Sequence, residues 1–188
     1  TFGADIVMHS STKYLGGHSD VVGGLLAMND EKLYNDLKFL QNAVGSVPGP
    51  MDCFMLLRST KTLHVRMERH CANALAVAQH LEKHPAVAWV NYAGLPSNKY
   101  NALAKKYLPK GAGSVFTFGV KGGYDVGVKV VDNVELFSHL ANIGDAKSLI
   151  IHPASTTHRQ LSDEQRVAAG AGPDVLRLSI GIETASDI

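Results

Sequence analysis

The hydrophobic residues fall first in short continuous runs and then at helical spacing. Thr1-Phe2-Gly3 leads straight into an apolar run at residues 6–8, which reads as a buried strand. Residues 21–28 read as a second strand, with Gly23 and Gly24 permitting close backbone approach. The period then becomes helical: Leu33, Leu37, Leu40 and Val44 share a face, Asn29 or Asp30 can cap it, and Gly45 ends it. Pro48-Gly49-Pro50 is a turn, and a second helix is predicted over 51–59. A third, long helix carries Leu63, Met67, Cys71, Leu75, Ala78 and Leu81 on one face and ends before Pro85. Its length suits a bridge between two domains, with a boundary near its middle that divides the chain into residues 1–72 and 73–188.

After Pro85 the texture changes. Residues 87–90 read as a strand and 94–97 as a turn. Phe116, Phe118 and Val120 alternate along a strand at 115–120, which Gly122-Gly123 breaks. A helix with Val126, Val130, Val134 and Phe137 in register comes next. Residues 149–151 form a short strand stopped by Pro153, and Ser162 with Gln165 is a capping box opening a short helix. Residues 175–180 are the last strand, and 185–188 read as the opening of a helix capped by Ser186 or Asp187. Strands alternating with helices give an α/β first part and an α+β second part. Both ends read as those of a fragment from a longer polypeptide.

Composition narrows the class further. The 188 residues are 45% hydrophobic and 19% charged with a net charge of +1, which is ordinary for a globular protein and offers no basic field for nucleic acid. No apolar run approaches a membrane span, and no signal-peptide pattern opens the chain. Cys53 and Cys71 lack metal or redox spacing and read as buried free thiols in a reducing compartment. His64 with His70, and His152 with His158, lack the spacing and cysteine partners of a zinc site, so no metal is expected. Arg66, Glu68 and Arg69 read as a solvated or interface charge face.

The candidate chemistry begins at Lys13. The run ending at Met8 is succeeded by His9, the hydroxyls of Ser10, Ser11 and Thr12, the amine of Lys13, and Gly16-Gly17. Open α/β sheets place ligands at the carboxyl ends of strands in this way. An amine beside hydroxyls offers one group for a carbonyl and others for a phosphate, which is what pyridoxal phosphate needs. A nucleotide-binding P-loop places its glycines before the lysine and its Ser/Thr after it, the reverse of the order here. Spacing alone leaves open a surface lysine capping a turn. Arg177 is the second candidate. It faces away from Leu176, Leu178 and Ile180, and an arginine in an apolar strand either pairs with a buried acid or awaits an anionic ligand.

The segment from His9 through Asp20 closely resembles the cofactor-lysine signature of the Cys/Met-metabolism (trans-sulfuration) enzymes. These include cystathionine γ-synthase, cystathionine γ-lyase, methionine γ-lyase and O-acetylhomoserine sulfhydrylase. The resemblance continues through Val47-Pro48-Gly49-Pro50, residues 63–70, residues 152–158 and residues 176–183, in family order over nearly the full chain. It implies the type I PLP-transferase (aspartate aminotransferase-like) fold, with the C-terminal part of the large domain followed by an α+β C-terminal domain. By the same resemblance Lys13 is the Schiff-base lysine, and Ser10 and Thr12 hold the cofactor phosphate. Arg177 then takes the substrate α-carboxylate, with Ser148 a further contact and Thr157 a support for the same wall. A cytoplasmic homotetramer built as a dimer of dimers is the implied assembly.

Two branches of the family are represented. Residues 14–24 and the short path to Pro48 look like the γ-synthase and γ-lyase branch, whereas sulfhydrylases often carry an insertion there. Residues 144–151 and 155–158 look like O-acetylhomoserine sulfhydrylase, and lyases tend to have an acid where Lys147 stands. Weighting Lys147 more heavily, the expected reaction is γ-replacement on an O-activated homoserine by a sulfur nucleophile, with γ-elimination or a γ-synthase reaction as the alternative. Lys147 pointing merely to solvent is the plain rival reading of that residue. The family's pyridine-nitrogen aspartate, ring-stacking tyrosine and N-terminal arm have no counterpart in these residues, and Asp5 is too close to Lys13 to serve. The chain by itself is therefore expected to be inactive, to need the family's N-terminal half, or to be a non-catalytic scaffold.

Overall fold

The computed structural model describes residues 3–188, so the strand entry expected at Thr1 and Phe2 lies outside the described residues. The chain divides into two compact units, residues 1–63 and residues 64–188.

In the first unit, β1 (Val7–Ser10) pairs antiparallel with β2 (Gly24–Ala27), with Val7 opposite Ala27 and Ser10 opposite Gly24. The second strand is shorter than its apolar run, because Val21, Val22 and Gly23 belong to the connection. Helix α1 (Glu31–Val44) starts where expected: the Asp30 carboxylate accepts the Leu33 N–H at 2.7 Å. It stops at Gly45, whose φ of 74° lies in the left-handed region that glycine enters without steric cost. Helix α2 (Pro50–Thr60) opens on Pro50, which has no N–H to leave unpaired. The expectation of buried strands is corrected here: Ile6, Val7 and Met8 are exposed, Met8 at 68%. Among the described residues β1 has β2 as its only sheet partner, so no further strand covers its apolar side chains. The α1 stripe is likewise only half-buried at Leu33 and Leu37 and exposed at Leu40 and Val44.

Helix α3 (Leu63–Lys83) leads into the second unit. There a five-stranded sheet runs in the order β3 (Val87–Asn91), β4 (Val115–Val120), β7 (Val175–Ser179), β6 (Leu149–Ile151), β5 (Ser138–His139). All neighbours are antiparallel except β5 and β6. Phe116, Phe118 and Val120 of β4, Ile150 of β6, and Leu176, Leu178 and Ile180 at β7 face one core with Ala74 and Ala78 of α3. Helix α5 (Gly123–Asn133) adds Val126, Val130 and Val131 to that core. The helix ends one residue before Val134, which is extended at ψ 137°, yet Val134 and Phe137 still pack against the same core. Helical periodicity therefore located side chains that pack partly buried on the core, passed over the fully buried Val131, and overran the helix.

Helix α6 (Asp163–Ala168) carries the expected capping box, with Ser162 accepting from Gln165 N and Gln165 from Ser162 N. Helix α4 (Asn101–Tyr107) and the two-residue β5 were not anticipated; α4 lacks a side-chain cap, which removes its start signal. Residues 185–187 form a turn in place of the expected helix opening. Cys53 and Cys71 are free thiols and are half-buried rather than buried. No helix among the described residues is long and apolar enough to cross a membrane, and no group of three or more His, Cys, Asp or Glu there could hold a metal.

Candidate active site

Lys13 sits where β1 gives way to a single wide turn over Ser11–Leu15, and the backbone breaks out of helical geometry at Lys13 itself, with φ −90° and ψ −133°. The turn is pinned from both sides. Ser11 N donates to Gly23 O at 2.9 Å, Gly23 N donates to Thr12 Oγ1 at 3.0 Å, and Gly17 N donates to Lys13 O at 2.7 Å. Gly16 is required by close approach: a Cβ there would stand 2.8 Å from Ser11 O. His18 donates its Nδ1–H to Gly16 O at 2.8 Å, and Ser19 takes a left-handed φ of 55°. A short turn tied to the connection before β2 holds the Lys13 backbone on a firm support, as a covalent attachment point needs.

Ser10, Thr12 and Lys13 are thus brought together, all half-buried. Sequence reasoning passed over Ser11. Its side chain is 3% exposed, and its hydroxyl has no hydrogen-bond partner among the described residues. The resemblance assigned the phosphate to Ser10 and Thr12 and gave Ser11 no role; the strand ends at Ser10, and the turn beyond it buries Ser11. A buried hydroxyl left without a partner costs free energy, and it is a donor that an anion could take up. Pyridoxal phosphate requires an amine for its aldehyde and donors for its phosphate, and the donor set at 10–13 fits both.

Arg177, Ser148 and Thr157 lie in the other unit. Arg177 stands in the middle of β7, opposite Thr117 of β4 and Ile151 of β6, on the face away from the core. It is half-buried, and burial holds its pKa below the ordinary guanidinium value. An arginine so placed is still charged at neutral pH. Its Nη2 donates to Asn142 O at 3.2 Å, and no described carboxylate pairs with it. Ser148, directly before β6, is fully buried. Its N–H donates to Glu183 Oε1 at 2.6 Å and its hydroxyl to Glu183 Oε2 at 3.0 Å, while Gly181 N donates to Ser148 Oγ at 2.9 Å. Thr157 is exposed and its hydroxyl meets His158 Nδ1 at 2.8 Å. Lys147 is exposed, with its N–H held by Asp145 Oδ1 at 2.8 Å. Asn142 and Glu183 were not singled out from sequence, since neither shows a local signal linking it to β7.

Helix α3 holds the end of β7 through two polar side chains. His70 is fully buried and donates its Nδ1–H to Ile180 O at 2.7 Å. Asn73 donates through Nδ2 to Gly181 O at 3.1 Å and Glu183 O at 2.8 Å.

Comparison with known proteins places this arrangement. The family model described as "Cys/Met metabolism PLP-dependent enzyme" matches residues 1–188. A cystathionine gamma-lyase of Dictyostelium discoideum is 48% identical over 186 residues, covering 99% of this chain and 48% of that protein. An O-acetyl-L-homoserine sulfhydrylase of Leptospira meyeri is 41% identical over 226 residues, covering 99% and 51%. Among solved structures, cystathionine gamma synthase from Xanthomonas oryzae pv. oryzae in complex with aminoacrylate and cysteine superposes with a TM-score of 0.91 at 43% identity, covering 99% of this chain and 48% of that one. The chain spans about half the length of the curated relatives it matches. Its fold is therefore that of the α/β, type I PLP enzymes, and its cofactor is pyridoxal 5′-phosphate. Matched by that family model from end to end, the chain belongs to the Cys/Met metabolism PLP-dependent enzyme family.

Proposed function

We propose that the protein performs γ-replacement on an O-activated homoserine, using a sulfur nucleophile, as an enzyme of sulfur amino-acid metabolism. The observation that carries the amino-acid reading is Arg177: a half-buried guanidinium with one backbone carbonyl and no described carboxylate for a partner. Its planar fork suits an α-carboxylate bound by two hydrogen bonds. Holding that carboxylate fixes the orientation of the substrate's Cα–H bond.

Lys13 attaches the cofactor, Ser10 and Thr12 hold its phosphate, and the buried Ser11 hydroxyl supports the same group. When bound, pyridoxal phosphate supplies the electron sink that makes departure of a γ-substituent possible. The Lys13 amine, when free, would serve as a mobile base that carries protons between substrate Cα and Cβ. Ser148 serves through the backbone it anchors, and Thr157 supports the same wall. Residues 73–188 are the C-terminal α+β domain in this reading, and the working assembly is a cytoplasmic homotetramer that includes the family's N-terminal half.

The motif from Gly144 to Lys147 and the likeness to a γ-synthase structure favour replacement. A second reading, γ-elimination, is favoured by the alignments: the cystathionine gamma-lyase match needs 186 positions, whereas the sulfhydrylase match stretches to 226. Product analysis of the full-length enzyme decides between them. O-acetylhomoserine with sulfide should yield homocysteine, while release of a 2-oxo acid and ammonia from cystathionine or methionine as the dominant reaction would establish elimination. Borohydride trapping with peptide mapping should place the pyridoxyl label on Lys13; a label elsewhere would end the whole reading.

A further inference from the structure

The segment from Asn142 to Ser148 has little regular structure, yet it is tied at four points to the chain that leaves β7. Gly144 N donates to the Ser179 hydroxyl at 2.9 Å, and Ile182 N donates to Ala146 O at 2.9 Å. Glu183 takes both the N–H and the hydroxyl of Ser148, and the same hydroxyl accepts from Gly181 N. The far end of the segment presents Asn142 O to the Arg177 guanidinium. The two segments converge so closely that a Cβ on Gly181 would stand 2.4 Å from Ala146 O and 2.6 Å from the Lys147 carbonyl carbon.

A carboxylate satisfies this arrangement in full. Ser148 offers two donors, its N–H and its O–H, and Glu183 accepts both, while the Ser148 oxygen accepts from Gly181 N–H. A carboxamide has one acceptor oxygen; its NH2 could reach only the remaining lone pair of Ser148 Oγ, so the Ser148 O–H would lose its acceptor. The segment in turn determines where the Asn142 carbonyl stands, and that carbonyl orients one arm of the guanidinium fork. We infer that Glu183 is a positioning residue for substrate recognition: by clamping Ser148 it holds the Asn142–Ser148 segment, and through the Asn142 carbonyl it sets the orientation in which Arg177 meets the substrate carboxylate. This rests on the reading of Arg177 as the carboxylate ligand.

The test is a double-mutant cycle in the full-length holoenzyme with Glu183→Gln, Arg177→Ala and the pair, each checked for folding by circular dichroism melting. Glu183→Gln is expected to raise KM for the amino-acid substrate about tenfold with kcat within threefold, and to weaken L-alanine binding measured by calorimetry by a similar factor. In the Arg177→Ala background the same change is expected to move KM and L-alanine affinity less than twofold. Equal effects in both backgrounds, or a fall in kcat at constant KM, would overturn the inference and leave Arg177's role standing. An Arg177→Ala enzyme with unchanged KM would instead remove the reading on which the inference rests. Glu183→Asp keeps the charge but shortens the reach; it should shift KM in the same direction, and it carries the cycle should the glutamine variant not fold. An Asp variant with native KM would also count against the clamp.

Discussion

His70 and Ile180 are joined by a 2.7 Å hydrogen bond between a buried imidazole and a backbone carbonyl at the end of β7. Because the carbonyl accepts, the Nδ1 carries the proton of the neutral ring. This contact reaches from α3 to the residue three positions beyond Arg177, and it makes the support of that strand sensitive to acid.

Burial is the main influence on His70 and lowers its pKa below the ordinary 6.5; the Ile180 bond opposes the shift, Arg66 adds to it, and Glu183 and Asp145 oppose it. The unfolded chain therefore binds the proton first. Stability is full above about pH 6.5, falls as pH drops below it, and levels off once the folded state also protonates. Melting temperature should decline from pH 7 towards pH 5. A His70→Asn variant, which keeps an N–H near the Nδ1 position and cannot titrate, should be less stable at pH 7 and should lose that decline.

Ser11→Ala should separate folding from cofactor binding. Removing a buried hydroxyl that has no partner is neutral or stabilising, by up to about 1 kcal/mol, in cofactor-free protein. The same variant should bind pyridoxal phosphate more weakly. Thermal melts of the two apo forms and a spectroscopic titration with the cofactor measure the two effects, and a destabilised apo form would show that the hydroxyl has a structural role.

Arg177→Lys keeps the charge and loses the fork. A charge-assisted hydrogen bond is worth roughly 1.5–3 kcal/mol, so KM for an amino-acid substrate should rise on the order of tenfold to a hundredfold. Steady-state kinetics on the full-length enzyme check this, and a KM within twofold of the parent would argue against a carboxylate contact.

Gly181→Ala should be among the more damaging single changes in the second unit. The added methyl would stand 2.4 Å from Ala146 O and 2.6 Å from the Lys147 carbonyl carbon, and backbone cannot rotate away as a side chain can. Overpacking of this kind costs about 1–3 kcal/mol, occasionally more. Denaturant unfolding should show it, whereas unchanged stability would mean that the two segments separate readily.

Much of the fold was legible because local rules suffice for it. Asp30 and Gly45 bracket α1, Ser162 and Gln165 open α6, and the alternation of Phe116, Phe118 and Val120 locates the core face of β4. Each signal lies within a few residues of what it specifies. Burial in the first unit was misread because apolar runs report what a segment needs covered, not whether the described residues cover it; Met8 and Val44 show the difference. Helix α4 escaped notice because seven residues without a side-chain cap leave too short a pattern.

By itself, the order of residues determined the family, the lysine turn and the face on which Arg177 lies, since a motif and a two-residue period are local properties of a chain. The tertiary structure alone decided which groups complete each site. Glu183 reaches Ser148 across 35 positions, Asn142 reaches Arg177 across 35, and His70 reaches Ile180 across 110. Such partners meet because packing α3 and the loop before β6 against β7 takes polar groups out of water, and each must then find its hydrogen bond in whatever the fold has brought near.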